Sequence, residues 1–135
     1  MERFLGRFAP RLYAILRIVA GLMFFMHGTQ KILGWPPSGQ GGGGPLPTVA
    51  LVSGWLELIL GALIAVGFLT PIAAFLASGE MAVAYWWKHF PDGFWPIANQ
   101  GELAALYCFV FLYIAAAGAG IWSIDAARSG TRPPV

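Results

Sequence analysis

The sequence predicts an all-α integral membrane protein, a four-helix bundle with both termini in the cytoplasm. Of its 135 residues, 58% are hydrophobic and only 10% are charged, whereas a soluble domain is about 45–50% apolar and about 25% charged. Four apolar segments have lengths that suit a bilayer. None of them alternates polar and apolar residues with a period of two, which disfavours a β-barrel.

The four predicted spans lie within one domain of residues 1–135 and occupy about residues 12–34, 49–69, 70–87 and 103–122. Twenty helical residues rise about 30 Å, which matches the hydrocarbon core of a bilayer. The second and third spans meet at Thr70-Pro71. Because Thr is a good N-cap and Pro suits the first helical position, this junction predicts a tight helical hairpin.

The connections and charges predict the orientation. Residues 35–48 form a Gly/Pro-rich loop, and an aromatic loop follows the third span. Five arginines lie in the two terminal tails, at Arg3, Arg7, Arg11, Arg128 and Arg132, whereas the loops and their flanks hold only Lys31 and Lys88. The positive-inside rule therefore places both termini in the cytoplasm and the two long loops outside.

The remaining composition excludes several classes of site and partner. Cys108 is the only cysteine, so a disulfide framework, a four-cysteine zinc site and a CxxC redox pair are excluded. The net charge of +2 implies no basic surface for nucleic acid. No Glu-x-x-His pair supports an iron site, so we predict no metal. The lipid bilayer is the predicted partner, and a homo-oligomer is left open.

Ionisable residues inside the apolar segments are the candidate functional residues, because a charge at the bilayer centre costs about 2.5–3.5 kcal/mol. They are His27, Lys31, Glu57 and Glu80, with Arg17 nearer the inner end of the first span. Counting about 1.5 Å per residue from the outer end of each span puts His27, Glu57 and Glu80 about 10–12 Å below the outer surface. We expect His27 and Lys31 to face the two glutamates, as a functional site or as ion pairs that fix helix register.

The positions of small residues agree with this cluster. Ser53, Glu57 and Gly61 share one helix face, and Ala73, Ala77, Glu80 and Ala84 share another, so close helix approach is expected there. On the fourth span, we expect Phe109, Tyr113, Ala116 and Gly120 to complete the wall. Trp55 and Tyr107 lie deeper than the interface aromatics, where they would stack on a ring-shaped ligand or pack against other helices.

Three stretches carry a family resemblance that extends from about Arg17 to Asp125. They are Arg17-Ile-Val-Ala-Gly-Leu-Met-Phe-Phe-Met-His-Gly-Thr-Gln-Lys-Ile-Leu-Gly34, then Gly54-Trp-Leu-Glu-Leu-Ile-Leu-Gly61 with Leu69-Thr70-Pro71, and finally Asn99-Gln-Gly-Glu-Leu-Ala-Ala-Leu-Tyr107 with Gly118-Ala-Gly-Ile-Trp-Ser-Ile-Asp125. Together they resemble the DoxX family.

The resemblance implies a four-helix protein of the bacterial inner membrane, similar to the membrane subunit of thiosulfate:quinone oxidoreductase. Members are linked to quinones, thiol redox balance and oxidative stress, and others are membrane anchors of soluble redox enzymes. By this resemblance His27, Gln30 and Lys31 match the first motif and Glu57 the second. Asn99 and Glu102 match the third, and with Gln30 they are expected at the outer mouth of the bundle. Ser123 and Asp125 are expected to cap or anchor the C-terminal tail.

Three functions remain open from the sequence. The first is a quinone-linked redox subunit without a covalent cofactor, in which His27 or Lys31 binds a quinone oxygen, Glu57 or Glu80 relays a proton, and a soluble partner supplies electrons. No catalytic residue is assigned. The second is a non-catalytic scaffold whose polar cluster is structural. The third is a small proton-coupled exporter, which is disfavoured because the acids face basic groups on the first span.

Overall fold

The computed structural model describes residues 1–39 and 45–130. The middle of the predicted Gly/Pro-rich loop, residues 40–44, and Arg132 lie outside the described residues. In the described part every regular element is a helix. The helices are α1 (Glu2–Leu5), α2 (Ala9–Leu33), α3 (Thr48–Val66), α4 (Thr70–Ala84), α5 (Pro96–Asn99), α6 (Glu102–Ala117) and α7 (Ile124–Ser129). A 3₁₀ turn (Gly6–Phe8) joins α1 to α2, a π-helical turn (Tyr85–His89) extends α4, and a 3₁₀ turn (Phe90–Asp92) follows it.

The ends of the helices correct the predicted spans in two places. Helix α3 ends at Val66, because Gly67 adopts the left-handed conformation with φ +71°. Helix α6 ends at Ala117 rather than near Trp122, because the backbone leaves helical geometry at Gly118, where φ is +82°. The residues after Gly118 therefore fold back over the end of the molecule, and Ser123 then caps α7 by accepting a hydrogen bond from the Ala126 amide.

Helices α2 and α3 form a close antiparallel pair whose contact is made by glycine. A Cβ atom on Gly21 would lie 2.5 Å from the Ala65 backbone nitrogen and 3.0 Å from the Gly61 carbonyl oxygen. A Cβ atom on Gly28 would overlap the backbone of Leu58 and approach the Gly54 carbonyl oxygen to 2.7 Å. Gly21 and Gly28 are seven residues apart on α2, as are Gly54 and Gly61 on α3, so the two backbones come into contact at two levels of one interface. We call this interface the glycine seam.

Helices α4 and α6 form the second antiparallel pair, and alanine takes the place of glycine. The α4 face buries Ala73, Ala74 and Ala77, and the Ser78 hydroxyl donates a hydrogen bond of 2.7 Å to the Cys108 carbonyl oxygen on α6. One apolar core joins the two pairs. Its fully buried members are Phe24, Ile64, Ala74, Ala77, Phe111 and Ile114.

Large apolar side chains cover the outside of the four long helices. They include Leu16, Val19, Leu22, Val52, Trp55, Ile59, Ile72, Phe75, Leu76, Leu106, Phe109 and Tyr113. Among the described residues two helical stretches are long and apolar enough to cross a bilayer, Glu2–Leu33 and Thr48–Val66, and Glu102–Ala117 is a shorter apolar helix. The prediction that Phe109 and Tyr113 line the inside of the bundle is wrong, because the exposed fractions of their side chains are 70% and 60%.

Candidate functional site

The centre of the candidate site is an ion pair between α2 and α3. The Lys31 ammonium group donates hydrogen bonds to Glu57 Oε1 at 2.8 Å and to the Ser53 hydroxyl at 2.9 Å. Glu57 is almost completely buried, whereas about a third of the Lys31 side chain is exposed (5% and 32%). The α2–α3 pair can form this contact because Gly54, one turn from Glu57, lets the Lys31 stem pass close to the α3 backbone.

Glu80 of α4 brings a second carboxyl group to this pair. It interacts electrostatically with both members of the ion pair, Glu57 and Lys31, and lies beside the Ser53 hydroxyl. Both of its carboxyl oxygens are shielded from solvent, and neither makes a hydrogen bond of ordinary geometry. The helices therefore place two buried carboxyl groups beside one ammonium group.

Helix α6 adds an aromatic wall and a phenolic hydroxyl. The Tyr107 ring stacks on Phe111 with centroids 5.2 Å apart, and Phe24 packs against both rings. The buried Tyr107 hydroxyl makes no hydrogen bond and interacts electrostatically with Glu57. The His27 ring meets the edge of the Tyr107 ring, with centroids 6.2 Å apart. We call Lys31, Ser53, Glu57, Glu80 and Tyr107 the carboxylate cluster.

The carboxylate cluster contains an unusual number of polar atoms without partners. They are Glu57 Oε2, both carboxyl oxygens of Glu80 and the Tyr107 hydroxyl. Buried polar groups are almost always hydrogen-bonded, so each exception needs an explanation. Four exceptions that converge from α3, α4 and α6 can bind a proton, a water molecule or a small polar ligand.

The three residues expected at the outer mouth are not part of this cluster. The Gln30 amide donates to the Pro36 carbonyl oxygen at 3.0 Å, and Glu102 is exposed at the start of α6. Asn99 is buried and holds the connection between α4 and α6. Its side chain donates to the Gly93 carbonyl oxygen at 2.8 Å and accepts from the Gly101 amide at 2.8 Å. Among these residues, Gln30 and Asn99 fix local chain segments.

A second polar centre lies at the opposite end of the α2–α3 pair, and the sequence predicted some of its residues but not their contacts. Arg17 is completely buried, and its guanidinium group donates to the carbonyl oxygens of Ile64, Ala65, Ile121 and Trp122 at 2.7–3.3 Å. The Tyr13 hydroxyl donates to the Gly118 carbonyl oxygen nearby. The sequence signals are an arginine within an apolar segment and the Ser123 and Asp125 pair near the C-terminus, and neither signal reveals which carbonyl groups the arginine binds.

Asp125 completes this second centre and confirms the expected anchoring of the tail. Its carboxyl oxygens accept hydrogen bonds from the Leu69 and Thr70 amides, both at 3.0 Å, and so cap the start of α4. Desolvation alone would raise the pKa of Asp125, but the Thr70 and Leu69 backbone amides, with the Arg128 charge, hold that pKa below its ordinary value. We call Tyr13, Arg17 and Asp125, with the backbone groups that they bind, the Arg17 centre.

Comparison with known proteins identifies the family. The DoxX family model matches residues 12–90. The chain belongs to the DoxX family. A relative from Haemophilus influenzae (strain ATCC 51907 / DSM 11121 / KW20 / Rd), described as an uncharacterized protein, is 43% identical over 125 residues, which cover 90% of this chain and 93% of the relative. No solved structure matches the chain.

Membership of the DoxX family, together with the apolar helices, makes this a membrane protein. His27, Lys31, Glu57 and Glu80 lie in the matched region, as do Ser53 and Arg17. Tyr107 lies beyond it, on the helix that closes the site. Within residues 1–39 and 45–130, no three His, Cys, Asp or Glu side chains cluster as ligands for a metal ion.

Proposed function

We propose that this protein spans the bacterial inner membrane four times, with both termini in the cytoplasm, and binds a quinone at the carboxylate cluster as part of a membrane redox system. The distribution of apolar side chains supports four spans. On α4 and α6, as on α2 and α3, many large apolar side chains are exposed, whereas polar side chains such as Glu57 and Ser78 are buried. Phe75 on α4 and Leu106 on α6 are 62% and 63% exposed, as expected for side chains that lipid covers.

The distribution of charge supports the orientation. Tyr13 contacts Gly118 and Arg17 contacts Trp122, so the two terminal segments share one end of the molecule. That end carries the arginines of the N-terminal tail and Arg128. Basic residues accumulate on the cytoplasmic side of membrane proteins, which favours both termini inside.

The unpartnered Tyr107 hydroxyl and the aromatic wall beside it carry the quinone proposal. A quinone is an apolar ring with carbonyl oxygens that only accept hydrogen bonds, so its site needs buried donors beside aromatic surface. The Tyr107 hydroxyl is such a donor, and the Tyr107–Phe111 stack supplies the ring surface. Lys31 adds a partly exposed ammonium group, and His27 adds an imidazole at the edge of Tyr107. A bound quinone would supply two-electron, two-proton redox chemistry, with a soluble partner as the electron donor.

The experiment is to purify the protein in mild detergent and quantify co-purified quinones by mass spectrometry. We expect near-stoichiometric quinone in the wild type and a loss in Glu57→Gln. Tyr107→Phe is the sharper variant, because it removes only a hydroxyl that makes no hydrogen bond in the structure. One lost hydrogen bond to a ligand, about 1 kcal/mol, corresponds to roughly fivefold weaker binding.

Tyr113→Phe is the matched control, because Tyr113 is on the same helix with its side chain 60% exposed. This variant should retain wild-type quinone content. Far-UV circular dichroism and elution volume report whether each variant is folded. Absence of quinone from the wild type, or equal losses in Tyr107→Phe and Tyr113→Phe, would contradict a quinone site at the carboxylate cluster and favour the scaffold function.

A further inference from the structure

We propose that the carboxylate cluster stores one exchangeable proton, carried by Glu80. This inference goes beyond the proposed quinone site and does not depend on it, because it follows from the charges that the helices bring together. The cluster contains two buried carboxyl groups, Glu57 and Glu80, and one ammonium group, Lys31. If both acids were ionised, the cluster would hold one uncompensated negative charge away from water.

The geometry decides which acid keeps its charge. Glu57 Oε1 accepts a hydrogen bond of 2.8 Å from the Lys31 ammonium group, and an ion pair of that length stabilises the carboxylate form. The donor beside Glu80 is the Ser53 hydroxyl, which accepts from Lys31 and whose own hydrogen bond to Glu80 departs from ordinary geometry. A buried carboxylate with one neutral, poorly aligned donor is costly, and such a group lowers its energy by binding a proton.

The groups that face Glu80 come from three helices. Helix α3 presents Glu57 and the Ser53 hydroxyl, α2 presents Lys31, and α6 presents the Tyr107 hydroxyl beside Glu57. Ser53 and Tyr107 stay neutral in the ordinary pH range, since a phenol ionises only near pH 10. Lys31 is therefore the only cation among these groups, and it balances only one of the two acids.

The donor count supports the same protonation state. Ionised carboxylates only accept hydrogen bonds, whereas a protonated carboxyl group also donates one. With both acids ionised, Glu57 Oε2 and both oxygens of Glu80 are buried acceptors without a donor in ordinary geometry. A proton on Glu80 converts one of these acceptors into a donor.

Infrared spectroscopy tests the proposal on the full-length protein in detergent without added ligand. A protonated carboxyl group gives a carbonyl stretch, distinct from the amide bands, that shifts in D₂O. We expect this band at pH 7 in the wild type and its loss in Glu80→Gln. Glu102→Gln, which changes an exposed carboxyl group, is the matched control and should keep the band.

Lys31→Met tests the charge count directly. Without the ammonium group both acids should be protonated, so the band should become about twice as intense, whereas Lys31→Arg should leave it unchanged. Carbon-13 NMR of glutamate-labelled wild-type protein gives the same answer without any variant, in case a substitution prevents folding. A wild type without a protonated carboxyl group at pH 7, or a band that survives in Glu80→Gln, would overturn the proposal whatever the quinone content.

Discussion

Lys31 and Arg17 lie on the same face of α2, about four helical turns apart, yet they meet α3 in opposite ways. Arg17 is fully buried and binds four backbone carbonyl oxygens. Lys31 is partly exposed and binds the side chains of Ser53 and Glu57. In the Arg17 centre one guanidinium group and Asp125 tie the ends of α3 and α4 to the C-terminal segment, and Arg17 Nε and the Thr70 hydroxyl are buried without a hydrogen bond of ordinary geometry. In the carboxylate cluster, four side-chain oxygens have no partner.

The difference separates a structural polar centre from a site that can exchange a ligand. Carbonyl groups do not titrate and belong to the backbone, so the partners of Arg17 cannot leave without changing the fold. Carboxyl and phenol groups can change protonation or partner while the helices stay in place. Both centres lie in an apolar protein, where a polar group is costly unless it is satisfied or functional.

Loss of the Arg17 guanidinium group should have the largest effect on stability. Arg17→Met leaves four carbonyl oxygens without their donor, and we expect a loss of more than about 3 kcal/mol, since hydrogen bonds to charged groups contribute about 1.5–3 kcal/mol each. Thermal unfolding in detergent measures the change. The matched control, Arg11→Met, alters an exposed arginine of the same helix and should leave the unfolding temperature near that of the wild type. An Arg17→Met variant as stable as the wild type would contradict a structural role for the Arg17 centre.

The glycine seam links the two centres, so a substitution there should have an intermediate effect. In Gly28→Ala the new Cβ overlaps the Leu58 backbone, which forces α2 away from α3 beside the Lys31–Glu57 pair. We expect a loss of about 1–3 kcal/mol, measured by thermal unfolding. Gly79→Ala is the control, because a Cβ atom added there would have no neighbouring atom within 4 Å, and it should stabilise α4 by up to about 1 kcal/mol. Equal stability of the two variants would contradict a seam that depends on glycine.

The pH dependence of the Arg17 centre should be the smallest effect. The pKa of Asp125 is lowered in the folded state, so its contribution is present above the unfolded-state pKa of about 3.9. It is lost as the pH falls through the lower folded-state pKa. We expect Asp125→Asn to cost about 0.5 kcal/mol at neutral pH and to flatten the decline of the unfolding temperature in acid. Asp92→Asn, at an exposed aspartate, should keep the wild-type decline.

The helical fold and the candidate ionisable residues could be predicted from the sequence. The side chains that these residues contact could be predicted only in part. Counting along the spans put His27, Glu57 and Glu80 at one depth, with Lys31 expected to face the glutamates, and the structure brings Lys31, Glu57 and Glu80 together. His27 contacts Tyr107 instead of a carboxyl group. Depth follows from the constant rise of a helix, whereas pairing depends on how each helix is rotated, and rotation is not fixed by residue counting.

Composition and hydropathy are enough to predict a helical, apolar chain and to find the ionisable residues that lie among apolar ones. They do not reveal that Tyr107 and Phe111, rather than Phe109 and Tyr113, face the interior, which follows from the way the helices pack. The physical reason is that the pattern of a soluble helix reveals its buried face, because the other face is polar. Helix α6 is apolar on every side, so its orientation is set by packing against α4 and by the polar groups that must avoid lipid.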